Sequence, residues 1–417
     1  MFSEPQFITL VNNCLLPKLR RNFEEYDDKE CFSKYQNELG RNIERVLCII
    51  KDINREKLSP NAWASIFILF NELLTSGPWS NYDSIKLAFK LHDHFNTLTD
   101  VSLMTLLSNS KNEIDKQEVF DACMMKLHLK LTSEDFKMYP AQIETYCKII
   151  SNLKEYNVNS EPLNIMPLSL ILIDDYVLEN ALNGLQSLLI ILDLLKEEHF
   201  RNGNYYEVIY GTLKKSFHQK NKEVTQLILQ CFLKLLPVLP AHTKMEKCDD
   251  VLANLLDELS LESNLYRKAI CLKYFKKLIQ IIGVDCVKRK QKTISVFCDN
   301  LDVCSNETVA NILLKETLEC IEEWIKYSWC AWRFQSDKNL YIHLMKLFIT
   351  CKDANHLSVI KILLKTLSKL CTVDEQIKMK SDYHKILEHV KSENLIKDDV
   401  TKKNEITRFG MELKEIQ

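Results

Sequence analysis

The chain of 417 residues carries 55 Lys and Arg against 57 Asp and Glu, and neither sign gathers into a long block. That balance excludes the one-signed field through which nucleic-acid and anionic-membrane binders capture their targets. No uninterrupted apolar run approaches the roughly twenty residues that a bilayer crossing needs, and the length suits two or three domains or one elongated repeat array.

At the N-terminus Glu4 and Pro5 accompany an amphipathic pattern in place of a basic start and a long apolar run, so no secretory signal is expected. The 15 cysteines are odd in number and dispersed, and the closest spacing, Cys298 to Cys304, is not a Cys-x-x-Cys pair. Cys48, Cys147 and Cys231 sit in apolar settings and are expected to be small core side chains in a reducing compartment, not zinc ligands. The expected location is the cytoplasm, with the nucleus as a second.

Only 7 glycines and 9 prolines punctuate the chain, and no proline lies beyond Pro240. Helix breaks are predicted in order at Ser59-Pro60-Asn61, Ser76-Gly77-Pro78, Tyr139-Pro140, Asn202-Gly203-Asn204, Pro237 to Pro240, and Ser305-Asn306. Between them apolar residues recur at helical spacing. One stripe holds Leu182, Leu185, Leu188, Leu189, Leu192 and Leu195, and another Val224, Leu227, Ile228, Cys231 and Leu235. Later stripes run through Leu314, Leu318, Ile321 and Ile325, then Val359, Leu363, Leu367 and Leu370. Roughly eighteen helices, pairing into eight or nine hairpins of about 40 to 47 residues, match the HEAT or armadillo period. The predicted fold is therefore all-α, a HEAT/armadillo-like α-solenoid of stacked helical hairpins. N-terminal repeats are expected over 1–158 and C-terminal repeats over 159–417, with a flexible joint over 153–167, where Asn157, Asn159, Ser160, Pro162 and Pro167 fall. The Lys- and Glu-rich tail after Ser392 predicts a last charged helix that caps the array or frays. Stacked repeats leave an extended surface, so binding another chain is the default function.

The segment Pro167-Leu-Ser-Leu-Ile-Leu-Ile-Asp-Asp-Tyr-Val-Leu-Glu-Asn-Ala-Leu-Asn-Gly184 combines an apolar run, an acidic pair and a glycine. Asp174 and Asp175 with Glu179 suggest the Mg²⁺ box of an isoprenoid synthase, but the third acid comes one position late. The second box is incomplete as well, since Asn221 and Thr225 are followed by Leu229. The aspartates are instead expected to cap the helix that starts near Leu178, worth about 1 kcal/mol. Gly184 lies inside that helix at a cost of nearly 1 kcal/mol, which close approach of a neighbouring helix or chain would offset. His92-Asp93-His94 lacks a completing ligand, and residues two apart on a helix diverge, so these histidines are expected to be solvated. Lys288-Arg289-Lys290 with Lys292 is expected to be a solvated helix face. Trp324, Tyr327, Trp329, Trp332, Arg333 and Phe334 read equally as a docking surface and as a bulky hairpin core. No nucleophile signature or phosphate-cradling loop is present, so neither catalysis nor a cofactor is expected.

The residues Pro167, Leu170, Leu172, Asp174, Asp175, Asn180 and Gly184 resemble the signature of the TELO-two-interacting protein 2 family. The resemblance continues through Val208, Tyr210, Cys248-Asp249-Asp250-Val251-Leu252, Arg267, Gly283, Trp329 and Arg333, over roughly residues 160–340, with Cys330 where a proline is expected. It implies a non-catalytic HEAT-like subunit of the Tel-two, Tti-one, Tti-two complex. The implied partners are Tti-one-like and Tel-two-like solenoids. Indirectly they include the ninety-kilodalton heat-shock chaperone, the RuvB-like ATPase co-chaperone and phosphatidylinositol-3-kinase-related kinases such as mTOR, ATM and ATR. On this reading Pro167, Asp174, Asp175, Asn180, Gly184, Trp329, Trp332 and Arg333 are candidate partner-binding or signature positions. An unrelated HEAT-type adaptor is the alternative among binding proteins, with no direct nucleic-acid or membrane contact.

Overall fold

The computed structural model describes residues 3–21, 32–50, 58–108, 114–159, 161–195, 204–392 and 400–414. Ser160, Asn202, Gly203 and part of the charged tail lie outside these residues. Among the described residues there are eighteen α-helices and no strand. None of these helices is long and apolar enough to cross a membrane. They form two compact units, Met1–Ser216 and Phe217–Gln417.

The first unit holds α1 Glu4–Asn12, α2 Ser33–Ile50, α3 Pro60–Leu73, α4 Tyr82–Thr99, α5 Lys116–Leu131 and α6 Pro140–Ser151. It continues with α7 Pro162–Ile173, α8 Leu178–Leu194 and α9 Tyr205–Ser216. Alternate helices lie side by side, α1 on α3, α3 on α5 and α5 on α7, with α2 on α4 and α6 on α8 in a second layer. The predicted breaks act as start signals. Ser59 Oγ accepts the Ala62 amide ahead of Pro60, and Pro140 opens α6. Helix α3 is buried nearly all round because it sits between both layers, and it carries Glu72 into the core. There Glu72 accepts the Leu16 amide at 2.5 Å, which ties down the chain after α1, and burial pushes its carboxyl up to about 7.

The boundary expected at 158/159 falls inside this unit, where α7 packs on α5 and α8. Pro167, expected within the flexible joint over 153–167, is not at a break. It stands inside α7, which begins at Pro162. A proline in a helix interior leaves the carbonyl four residues back without its amide. At Pro167 that carbonyl belongs to Leu163, which is on an exposed position where water can serve it.

The second unit holds α10 Lys222–Val238, α11 Ala241–Leu261, α12 Leu265–Ile282, α13 Lys290–Val303 and α14 Glu307–Ser328. It ends with α15 Phe334–Thr350, α16 Ala354–Lys369, α17 Val373–Ser392 and α18 Val400–Lys414. Here α10, α12, α14, α16 and α18 make one layer, and α11, α13, α15 and α17 the other. Second-layer helices begin at Ala241, Lys290, Phe334 and Val373, spaced roughly as HEAT hairpins are. This i to i+2 stacking within each unit is that of a HEAT/armadillo-like α-solenoid. Asn221, Asn264, Asn306 and Asp353 each accept a backbone amide at a helix start, satisfying donors that have no partner inside the helix. Gly283 ends α12 at φ +64°, a conformation that side chains other than glycine rarely adopt. Pro237 remains within the last turn of α10, so the break falls at Leu239 and Pro240.

Most positions of the predicted stripes line the interior: Leu185, Leu188, Leu192, Val224, Ile228, Cys231, Leu314, Leu318, Ile321, Leu363 and Leu367 are buried, while Leu182, Leu189, Leu227, Val359 and Leu370 are half-buried. Each such side chain contributes about 1.5 to 3 kcal/mol by leaving water. Cys48 differs from expectation. The buried stripe of α2 runs through Leu39, Ile43, Val46, Leu47 and Ile50, so Cys48 falls on the opposite, exposed face despite its apolar neighbours.

Candidate functional site

The segment 167–184 folds into the corner between α7 and α8. Helix α8 crosses α7 closely enough that a Cβ on Gly184 would lie 2.7 Å from both Ser169 O and Ile173 N. Glycine is there because two backbones nearly touch. From the other side, the buried Tyr146 hydroxyl reaches Ile165 O and Ser169 Oγ, each at 2.6 Å, which fixes α7 on α6.

The two aspartates do not cap α8. Asp174 ends α7, its amide bonded to Leu170 O, and its carboxylate pairs with Lys215 Nζ of α9 at 3.1 Å. Asp175 turns inward until its side chain is 1% exposed, with Oδ1 2.5 Å from Lys137 Nζ. Its Oδ2 accepts a hydrogen bond from Asn180 Nδ2 at 2.7 Å. Val177 takes the N-cap position without a side-chain bond. A cap is worth about 1 kcal/mol, whereas a buried carboxylate without its cation costs several, so the ion pair decides where Asp175 points. Lys137 also lies 3.6 Å from the centre of the Tyr176 ring. The result is a pinned corner that presents Tyr176, 74% exposed, and Leu178 to solvent.

This geometry removes the isoprenoid-synthase alternative. A Mg²⁺ cluster needs converging carboxylates, but Asp174 and Asp175 pair with lysines from different elements, and Glu179 is exposed on α8. Asn221 caps α10, and the Thr225 hydroxyl accepts from Arg267 Nε at 2.8 Å. Among the described residues no three His, Cys, Asp or Glu side chains are placed to hold a metal ion. His92 and His94 depart from the solvated reading. Each is half-buried with one buried ring nitrogen lacking a hydrogen bond among the described residues, and His92 lies against Phe70 at 5.9 Å.

In the second unit the aromatic cluster divides. Trp324, Trp332 and Phe334 are core, with Trp324 edge-on to Phe297 and Phe334 edge-on to Tyr341. Trp332 is 1% exposed and so offers nothing to a partner, whereas Trp329 is 58% exposed on the turn between α14 and α15. Arg333 is exposed but folds back, Nη1 donating to Cys330 O and Trp332 O at 3.1 and 2.6 Å. Lys290 and Asp337 brace the same turn through Ala331 O and the Arg333 amide. The basic run is not merely solvated, because each member takes a carboxylate. Lys288 pairs with Asp285, Arg289 with Asp249 through two bonds, Lys290 with Asp337 and Lys292 with Asp257, the last three joining neighbouring helices.

Sequence reasoning left Lys137, Tyr176 and the role of Arg267 unread. Arg267 is 1% exposed and holds Glu258, Glu262, Thr225 and the Gln219 carbonyl. Burial alone would raise the Glu258 carboxyl, but hydrogen bonds from His218, Arg267 and Lys220 bring it down to about 2. Lys137 comes from 38 residues away and left no local signal, whereas an aromatic beside the acidic pair was visible at Tyr176.

Three curated proteins described as TELO2-interacting protein 2 are similar to this chain. The Mus musculus protein is 26% identical over 263 residues, 60% of this chain and 50% of its own. The Rattus norvegicus protein is 24% identical with the same coverage, and the Homo sapiens protein 21% identical over 261 residues, covering 60% and 51%. The chain thus spans about half the length of these relatives, and the resemblance read from the segment 167–184 is borne out. No protein-family model matches the chain. Among solved structures, an engineered protein aligns at TM-score 0.40 with 13% identity over all of both chains. Kap95p, solved with RanGDP, aligns at 0.37 with 9% identity over 99% of this chain and 66% of its own. The fold rests on the helix stacking described above and takes nothing from these two scores.

Proposed function

We propose that this chain is a non-catalytic scaffold subunit of a Tel-two, Tti-one, Tti-two complex and acts by binding a partner solenoid. The observation that carries the reading is the α7–α8 corner, where ion pairs from Lys137 and Lys215 hold an exposed Tyr176 in the segment that resembles the family. An aromatic fixed in advance loses little entropy on docking, and tyrosine is enriched among residues that dominate interface energy. Trp329, on its braced turn, is a second docking position. Support of the reading by name comes from the curated relatives. Through that complex the chain supports the stability and assembly of phosphatidylinositol-3-kinase-related kinases with the ninety-kilodalton heat-shock chaperone and the RuvB-like co-chaperone, in the cytoplasm and nucleus.

Affinity purification of the chain should recover a Tti-one-like and a Tel-two-like protein together with a kinase of that class. Recovery of other partners without either solenoid would favour the unrelated HEAT-type adaptor. Tyr176→Ala should weaken recovery of the solenoid partner by about thirtyfold, the effect of losing a hot spot of about 2 kcal/mol. Full recovery with Tyr176→Ala and Trp329→Ala combined would remove both positions from the interface.

A further inference from the structure

Lys126 and Lys130 stand one turn apart on α5, on the same face of the helix. Both are partly drawn into the protein, and burial lowers the pKa of each, with Lys126 adding to the effect at Lys130. Among the described residues neither ammonium forms an ion pair, although Lys130 Nζ lies 5.6 Å from the Tyr139 ring centre. Glu72 acts on Lys130 from α3, but that carboxyl is itself pushed up to about 7 and carries only part of a charge near neutrality. Between the two lysines, the end of α1, the middle of α3 and the start of α6 is a cavity of about 130 Å³. Leu15, Ile68 and Leu127 make its apolar walls, and Asn12, Ser65 and Gln142 add neutral polar groups.

Two like charges that share a small, largely apolar cavity repel one another and are costly to desolvate. An anion between them relieves both. The volume is close to the ~150 Å³ of an apolar cavity that accepts benzene, so a guest of about six heavy atoms fits. Apolar walls suit an alkyl chain, and two ammoniums match the two oxygens of a carboxylate. A phosphate would set further oxygens against Leu15, Ile68 and Leu127, where no donor pairs them. We propose that this cavity binds a short aliphatic carboxylate, either free or as the glutamate side chain of another polypeptide. Lys126 and Lys130 each meet one oxygen, and the alkyl part lies on Leu15, Ile68 and Leu127. The site does not depend on the scaffold reading.

The test uses the full chain with sodium butyrate as probe, compared with sodium chloride at equal ionic strength. Butyrate at about ten times its Kd should raise Tm by several degrees. 1-Butanol should not, and Lys126→Met with Lys130→Met should abolish the rise. Equal melting in butyrate and chloride, or a full rise in the double variant, would overturn the site. Line broadening of the butyrate methyl signal by the wild-type protein gives a readout that needs no variant. Broadening reversed by excess propionate supports the site, and its absence overturns it. Competition by acetyl-Gly-Glu-Gly-amide, with none by the Gln peptide, would place the ligand on a polypeptide. Competition by propionate alone would make it a free carboxylate.

Discussion

Substituting Gly184 by alanine adds one methyl group where α7 and α8 are closest. The new carbon would sit 2.7 Å from Ser169 O, 2.7 Å from Ile173 N and 2.9 Å from the Leu172 Cβ. Ordinary contact begins near 3.4 Å. Two of the obstacles are backbone atoms that share one turn of α7, so no rotamer change relieves them and the helices must separate. Overpacking of this kind costs about 1 to 3 kcal/mol, more when the obstacle is rigid. Alanine returns nearly 1 kcal/mol of helix propensity, which leaves a net loss of about 2 kcal/mol with backbone obstacles. Gly211, on an exposed position of α9, is the matched control, because a Cβ there meets nothing within 4 Å. Gly211→Ala should therefore stabilise the protein by up to about 1 kcal/mol. Urea unfolding followed by circular dichroism would measure both, and hydrogen exchange of the α7 amides would locate the change. Gly184→Ala with wild-type stability would refute the close-contact account.

Glu72→Gln should keep the Leu16 amide bonded while removing the titration. The folded carboxyl titrates near 7, above the ordinary 4.5, so the folded state holds the proton longer. Its contribution is complete below about pH 4.5 and is lost as pH rises through 7, up to about 3 kcal/mol. The variant should accordingly gain on wild type between pH 5 and 8 in paired denaturant melts, and parallel curves would contradict this. Arg267→Met leaves Glu262 without its cation and Glu258 with only the exposed Lys220 and His218, and should cost about 3 kcal/mol. Adding Glu258→Gln and Glu262→Gln should recover much of that loss, and a triple variant no more stable than the single one would count against the network. Asn221→Ala should cost about 1 kcal/mol by freeing the Glu223 and Val224 amides at the start of α10, read from the shift in urea midpoint at constant slope.

Local signals decided the helices. Apolar spacing of three and four residues set which faces of α8, α10, α14 and α16 turn inward, because one side of a helix must leave water wherever its neighbours lie. Capping at Ser59 and Asn306 was legible for the same reason, since the atoms involved are three residues apart. Cys48 and the aspartates were not. Cys48 has apolar neighbours in sequence, yet its exposure depends on which face of α2 meets the core. Asp174 and Asp175 have the composition of a cap, but Lys215 and Lys137 arrive from other elements and outweigh it. Gly184 shows the division most directly. The chain alone places an unfavourable glycine inside a helix and calls for a close neighbour, and only the packing of α8 against Ser169 and Ile173 identifies that neighbour. Periodicity and caps act along a few bonds and so belong to the sequence, whereas charge pairing and backbone approach act through space and exist only once distant segments have been brought together.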